Sequence, residues 1–225
     1  MSASEFAALR QQMVAQIAAQ TIFLTLRLGK AALHPRVMAV LARVPRHEFV
    51  RLEMQPFAYA DSPLPNGHGK TISQPFIVAL MTDLLDLQPA DRVLEIGTGL
   101  GYQTAVLAAL AGRVYSIEMI EALALGARQR LAQQGLAATT EVRIGDGRAG
   151  WPEHAPFDKI IVTAAPDAVP PALLAQLKPG GRMVAPAGPA DAQQLLLIEK
   201  SASGSVSSRE ILAVRFSALE APCPG

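Results

Sequence analysis

The residues 93–103, VLEIGTGLGYQ, hold the chain's sharpest chemical signal. Glycines at 97, 99 and 101 follow a short apolar run and precede a helical pattern. Such a loop turns tightly and lets a ligand approach bare backbone. A dinucleotide fingerprint would space its glycines G-x-G-x-x-G. Here the third glycine comes one position early, and Tyr102 stands in its place. Glu95, just ahead of the loop, would repel a pyrophosphate and favour a cationic ligand. S-adenosyl-L-methionine, with its adenosine, sulfonium and ammonium, fits that chemistry better than NAD.

Two more acids follow the next two apolar runs: Glu118 after VYSI and Asp146 in IGDG. At the carboxyl ends of strands, where open sheets bind ligands, Glu118 is placed to accept from ribose hydroxyls and Asp146 from an adenine amino group. Each also has a plainer reading, Glu118 as a charge at a helix start and Asp146 as a turn residue. A second unusual stretch, residues 59–75, reads YADSPLPNGHGKTISQP. Three prolines and two glycines there exclude a long helix and argue against a strand, leaving a functional loop or lid. Its Ser73 is placed to cap the helix that Pro75 begins.

The elements around these residues alternate. Phe6, Leu9, Met13 and Ile17 recur at helical spacing, and a second helix is expected over 34–43. After the helix that follows Pro75, strands are expected at 92–96, 113–117, 141–144, 157–163 and 182–186. Helices are expected between them, at 102–111, 120–134 and 170–177, the last stopped by Pro179-Gly180-Gly181. This order predicts a parallel sheet covered on both faces. Strands expected at 194–200 and 209–216, with no helix between, should close it as an antiparallel hairpin. One domain is expected over 1–225, with 1–75 as a helical cap and active-site loop and 76–225 as the α/β core.

Composition excludes other classes. Twenty Lys+Arg against 19 Asp+Glu give a net charge of +1, without the basic footprint of a nucleic-acid binder or a polybasic membrane patch. No apolar run reaches the length of a membrane span, and no signal peptide is apparent, so a cytoplasmic protein is expected. The lone Cys223 and four scattered His suggest neither disulfide nor metal site.

Taken in order, YADSPLPNGHGKTISQP, VLEIGTGLGYQTAVLA, VYSIE, GDGRAGWPEHAPFDKIIVTAA and LKPGGRMVAPAG resemble the protein-L-isoaspartate O-methyltransferase family over residues 44–216. The resemblance implies a Rossmann-like class I methyltransferase sheet of about seven strands. It implies S-adenosyl-L-methionine as methyl donor, S-adenosyl-L-homocysteine as product, and isoaspartyl α-carboxylates of damaged proteins or peptides as acceptors. By motif, Ser73 matches the family's active-site serine, with Thr71 and Ile72 beside it; Val214 marks the strand that holds substrate backbone. In the glycine loop, Glu95, Gly97, Thr98, Gly99 and Gly101 stand at cofactor contacts; beyond it Glu118, Met119, Asp146 and Gly147 do.

The chain departs from the family pattern at Leu100, where serine is frequent, at Met119, in the apolar segment 18–35, and in the tail SALEAPCPG. A carboxylate acceptor is already ionised at neutral pH, so no general base is required. Alignment and water exclusion are the work of such a site, with Ser73 orienting the acceptor. The competing readings are a class I methyltransferase with another carboxylate or small-molecule acceptor, and a non-catalytic S-adenosylmethionine-binding protein. Oligomeric state is not legible.

Overall fold

The computed structural model describes residues 1–220; Cys223 and the end of the tail lie outside them. Helix α1 (Ala3–Phe23) starts at a capping box, with the Ser2 side chain accepting from the Glu5 backbone and the Glu5 carboxylate accepting from the Ser2 backbone. It buries Phe6, Met13 and Ile17, three of the four residues expected from the spacing. The helix runs further than the expected 4–20, and a turn of helix, α2 (Thr25–Leu28), continues it to Gly29. The atypical apolar segment is therefore largely helical. Helix α3 (Pro35–Leu41) follows.

Residues 59–75 differ from expectation. They contain a two-stranded antiparallel hairpin, β1 (Leu64–Gly67) and β2 (Lys70–Ile72). Proline is compatible because both strands are edges and Pro65 owes no ladder donor to a third strand. Gly67, His68 and Gly69, all at positive φ, close the turn.

Helix α4 (Pro75–Leu85) leads into the main sheet: β3 (Arg92–Ile96), β4 (Arg113–Glu118), β5 (Thr140–Ile144), β6 (Phe157–Val162), β7 (Leu177–Ala187), β8 (Gln194–Lys200) and β9 (Val206–Ala213). Helices α5 (Tyr102–Ala108), α6 (Glu121–Gln133) and α7 (Pro171–Gln176) pack on it. The strand order is β5-β4-β3-β6-β7-β8-β9, parallel as far as β7 and antiparallel from β7 to β9. This is the mixed seven-stranded class I methyltransferase sheet expected.

Two local differences have physical causes. Helix α7 ends at Gln176 and β7 begins at Leu177, so Pro179-Gly180-Gly181, expected to stop the helix, instead forms an irregularity inside the strand. A Cβ at Gly181 would come within 2.8 Å of the Asp158 and Lys178 carbonyl oxygens, so the bulge requires glycine there. Strand β9 ends at Ala213 rather than 216. Gln193 takes the chain off the ladder: its carbonyl accepts from Val214 N and its side-chain oxygen from Phe216 N.

Alternation along the strands divides the core. Val93, Val114, Ile161 and Val184 face one layer, and Leu94, Ile96, Tyr115, Ile117 and Ile160 the other. Glu95 and Ser116 fall on the first face, under α5. Strand order reverses at β3, whose neighbours β4 and β6 lead in opposite directions across the sheet, and a crevice is expected at the carboxyl ends of these strands. No helix among the described residues is long and apolar enough to cross a membrane.

Candidate active site

The crevice is present as a cavity of about 660 Å³, counting its open mouth. Gly97, Gly99, Glu118, Met119, Gly147 and Thr71 line it, six of the residues singled out in the sequence. Gly97 has φ +94°, and a Cβ there would lie 2.4 Å from Thr163 Oγ1. Gly147 is similarly constrained, since its Cβ would meet Ile96 Cγ2 at 2.3 Å. The two glycines let the β3 loop and the turn after β5 close on the strand ends without blocking the cavity. The Glu118 carboxylate accepts from Gly99 N at 2.7 Å and from Ile120 N at 3.0 Å. Each oxygen keeps a lone pair for a ligand hydroxyl. Ile96, Ile120 and Leu123 supply an apolar wall suited to a flat ring. This set, an acid at the end of β4 beside bare backbone and an apolar wall, fits a nucleoside ligand.

A second groove, about 1140 Å³ including its mouth, adjoins the first. Ser73, Phe76, Ile77, Val214 and Phe216 line it, and Thr71, Thr163 and Ser217 border both spaces. Ser73 is not the cap of α4. Asp61 takes that role, its Oδ1 accepting from Phe76 N at 2.8 Å, while its Oδ2 accepts from Gln74 at 2.8 Å and from Gln20 of α1 at 2.5 Å. From beneath, Arg46 donates through Nη2 to the Ser73 carbonyl at 2.7 Å and through Nε to the Ala58 carbonyl at 2.8 Å. Its guanidinium lies 4.9 Å from the centre of the Tyr102 ring, on the first residue of α5. Burial lowers the Arg46 pKa to about 10, still fully charged at neutral pH. One buried cation thus joins the Ser73 segment to the helix behind the glycine loop.

Other expected residues lie off the cavity. Glu95 is fully buried, with Oε2 accepting from Thr104 at 2.5 Å and Ser116 at 2.6 Å; Ser116 in turn meets the Thr98 hydroxyl at 2.6 Å. The acid is a tie beneath the loop. Burial raises its pKa to about 7. Gly101 makes room for α6, where a Cβ would approach Ala127 Cβ at 3.3 Å. Asp146 is turned onto Arg148, which holds its carboxyl below the usual range, and Ile72 is buried in the core. Leu100 is buried in the core layer and lines neither space.

Thr163, Asn66, Lys70 and Ser217 line the cavity without having been singled out. Thr163 follows β6 directly and donates from Oγ1 to the Gly97 carbonyl at 2.6 Å. Its signal was positional: it is the polar residue at the end of KIIVT, as Glu118 is at the end of VYSI. Lys70 of the hairpin pairs with Glu220 of the tail at the cavity mouth.

Known proteins resemble this chain. The sequence profile of Protein-L-isoaspartate(D-aspartate) O-methyltransferase matches residues 18–221. A Polaromonas protein named protein-L-isoaspartate O-methyltransferase 1 is 64% identical over 225 residues, covering 100% of this chain and 95% of its own. A Cupriavidus necator protein of the same name is 56% identical over 92% of this chain and 80% of its own. A solved protein-L-isoaspartate O-methyltransferase superposes with a TM-score of 0.79 at 27% identity, covering 93% of this chain, which spans 65% of that one. With the matched segment running from the end of α1 into the tail, and taking in both walls of the groove and every residue named at the cavity, the chain belongs to the protein-L-isoaspartate(D-aspartate) O-methyltransferase family.

Proposed function

We propose that this protein transfers a methyl group from S-adenosyl-L-methionine to the α-carboxylate of L-isoaspartyl residues in damaged proteins and peptides, starting their repair. The observation that carries this reading is the junction of two spaces at Thr71, Thr163 and Ser217. One space suits a nucleoside, and the other is an open groove with Ser73 on its wall. In this reading Gly97, Gly99, Met119, Gly147 and Glu118 hold the cofactor, Glu118 at the ribose. Glu95, Thr98 and Gly101 act indirectly by shaping the loop. Asp146 would have to leave Arg148 to reach an adenine amino group.

S-adenosylmethionine supplies an electrophilic methyl on a sulfonium. The residues present need move no proton, because the acceptor carboxylate has a pKa of about 3.5 to 4. Ser73 orients that carboxylate by donating a hydrogen bond. The apolar groove side chains Phe76, Ile77, Val214 and Phe216 keep water from the methyl's path. The main-chain contacts of Arg46 and Asp61 hold the Ser73 segment in line. Once the ester has formed, the neighbouring backbone nitrogen attacks it and expels methanol. The resulting succinimide hydrolyses in part to normal aspartate.

The test is methyl transfer from labelled cofactor to an isoaspartyl peptide, with the matching aspartyl peptide as control. Label on the isoaspartyl peptide alone, released as methanol in mild base, is expected. Label on neither, with cofactor binding intact, would overturn the acceptor.

A further inference from the structure

We propose that the Asn66 carboxamide is a cofactor-binding group, satisfied only when S-adenosylmethionine or its product is bound; this rests on the cofactor reading above. The residue is an outlier in its own element. Strand β1 alternates buried and outward positions, and Asn66 shares the buried face with Leu64, where an apolar side chain is the ordinary occupant. The register explains its direction. Leu64 pairs with Ile72, Pro65 with Thr71 and Gly67 with Lys70, so Asn66 is the extra residue of a β-bulge with no partner across the hairpin. Bulges re-aim a side chain and cluster beside functional sites.

Here the bulge sends the side chain against the glycine loop. Asn66 Nδ2 is 3.8 Å from the place a Cβ on Gly99 would take, and the residue lines the cavity. The Gly99 backbone N–H is already committed to Glu118, so Asn66 and Glu118 both lie against this glycine. Asn66 is 5% exposed, yet its Oδ1 has no hydrogen-bond partner among the described residues. A buried amide left unpaired destabilises a protein, and native structures carry few. The hairpin tip holds Asn66 at the cavity wall, and turning the buried carboxamide toward the cavity lets a ligand N–H or O–H supply the missing partner. The same contact would draw the hairpin, and with it Thr71 and Ser73, onto the bound cofactor.

The test reads ligand affinity and ligand-free stability together, with no acceptor peptide present. S-adenosyl-L-homocysteine is titrated calorimetrically into the wild type, Asn66→Leu and Asn66→Ser. Leucine keeps the branched shape and removes both polar atoms; serine is smaller than asparagine and controls for crowding. Both variants should bind about tenfold more weakly. The ligand-free melting temperature of Asn66→Leu should rise by about 2–4 °C, because the unpaired group is gone. Affinities within about twofold of wild type in both variants would overturn the proposal, since a lost hydrogen bond costs more than that. So would a lower melting temperature for Asn66→Leu with unchanged affinity in Asn66→Ser, which marks an amide used by the protein itself. No binding of the homocysteine product by the wild type would instead sink the cofactor reading.

Discussion

Because Asp61 caps α4, Ser73 is free of the capping duty its sequence position suggested, and it stands on the groove wall. Ser73→Ala should therefore leave the melting temperature nearly unchanged. It should lower kcat with isoaspartyl peptide by about 10- to 100-fold, the worth of one lost hydrogen bond to a charged group. Cofactor affinity, measured without peptide, should hold; a melting temperature loss as large as a missing cap gives would assign Ser73 to structure instead. Glu95 makes a different prediction. Its pKa is raised to about 7 in the folded protein from 4.5. The folded state therefore binds the proton more tightly than the unfolded chain, and its stability falls as pH rises from about 4.5 through about 7. The loss amounts to about 3 kcal/mol. Glu95→Gln, which keeps the contacts to Thr104 and Ser116 in neutral form, should flatten that slope in ligand-free denaturant titrations at stepped pH. An unchanged slope would refute the assignment.

At the scale of elements, Asp61 joins three pieces of chain: α1 through Gln20, the loop through Gln74, and the first turn of α4 through Phe76 N. Asp61→Ala removes a cap and two side-chain contacts, and should cost about 1–2 kcal/mol of stability. It should also raise the acceptor KM, because Gln74 and Ser73 share the groove wall. Equal losses at a control cap far from the groove, with no change in KM, would show that Asp61 only stabilises. Much at this scale was legible in the sequence. The apolar runs, the glycine loop and the Pro-led helices placed most core strands and helices within a residue or two, because burial on both faces and helix-start chemistry are local signals. The hairpin at 64–72 was not legible, since prolines argue against a strand unless it is known to lie at an edge. The end of β9 was set by Gln193, distant in sequence. The same holds for the site. Glu118 and the glycines announce themselves by position after a strand. Glu95 was misplaced because strand alternation, which puts it on the face of Val93, outweighs its nearness to the loop. Asn66 needed a bulge that no sequence pattern displays.

For the whole molecule, the cavity is assembled from segments far apart in the chain: the hairpin before the sheet, the ends of β3, β4 and β6, the turn after β5, and residues 217–220 after the last strand. A ligand bound there ties these parts together, and it favours the folded state by mass action. At about 100 times its dissociation constant, S-adenosyl-L-homocysteine should stabilise the protein by about 2.7 kcal/mol. That is a rise of about 5–11 °C in melting temperature for a chain of this size. A rise below about 1 °C at that saturation would mean that the ligand also binds the unfolded chain, or a part of the fold that survives melting.

The tail has a consequence for how the cavity wall is held. After leaving β9, the chain returns to β6, where Ala218 bridges Ala165, and Leu219 N and Ala165 N exchange hydrogen bonds with Ala165 O and Ser217 O. Those residues form part of the cavity wall and are translated after every strand of the sheet. Residues 217–219 are thus fastened beside the cavity by a short bridge of their own, outside the seven-stranded ladder. Removing residues 217–220 would therefore open the cofactor cavity on one side while leaving every strand of the sheet in place.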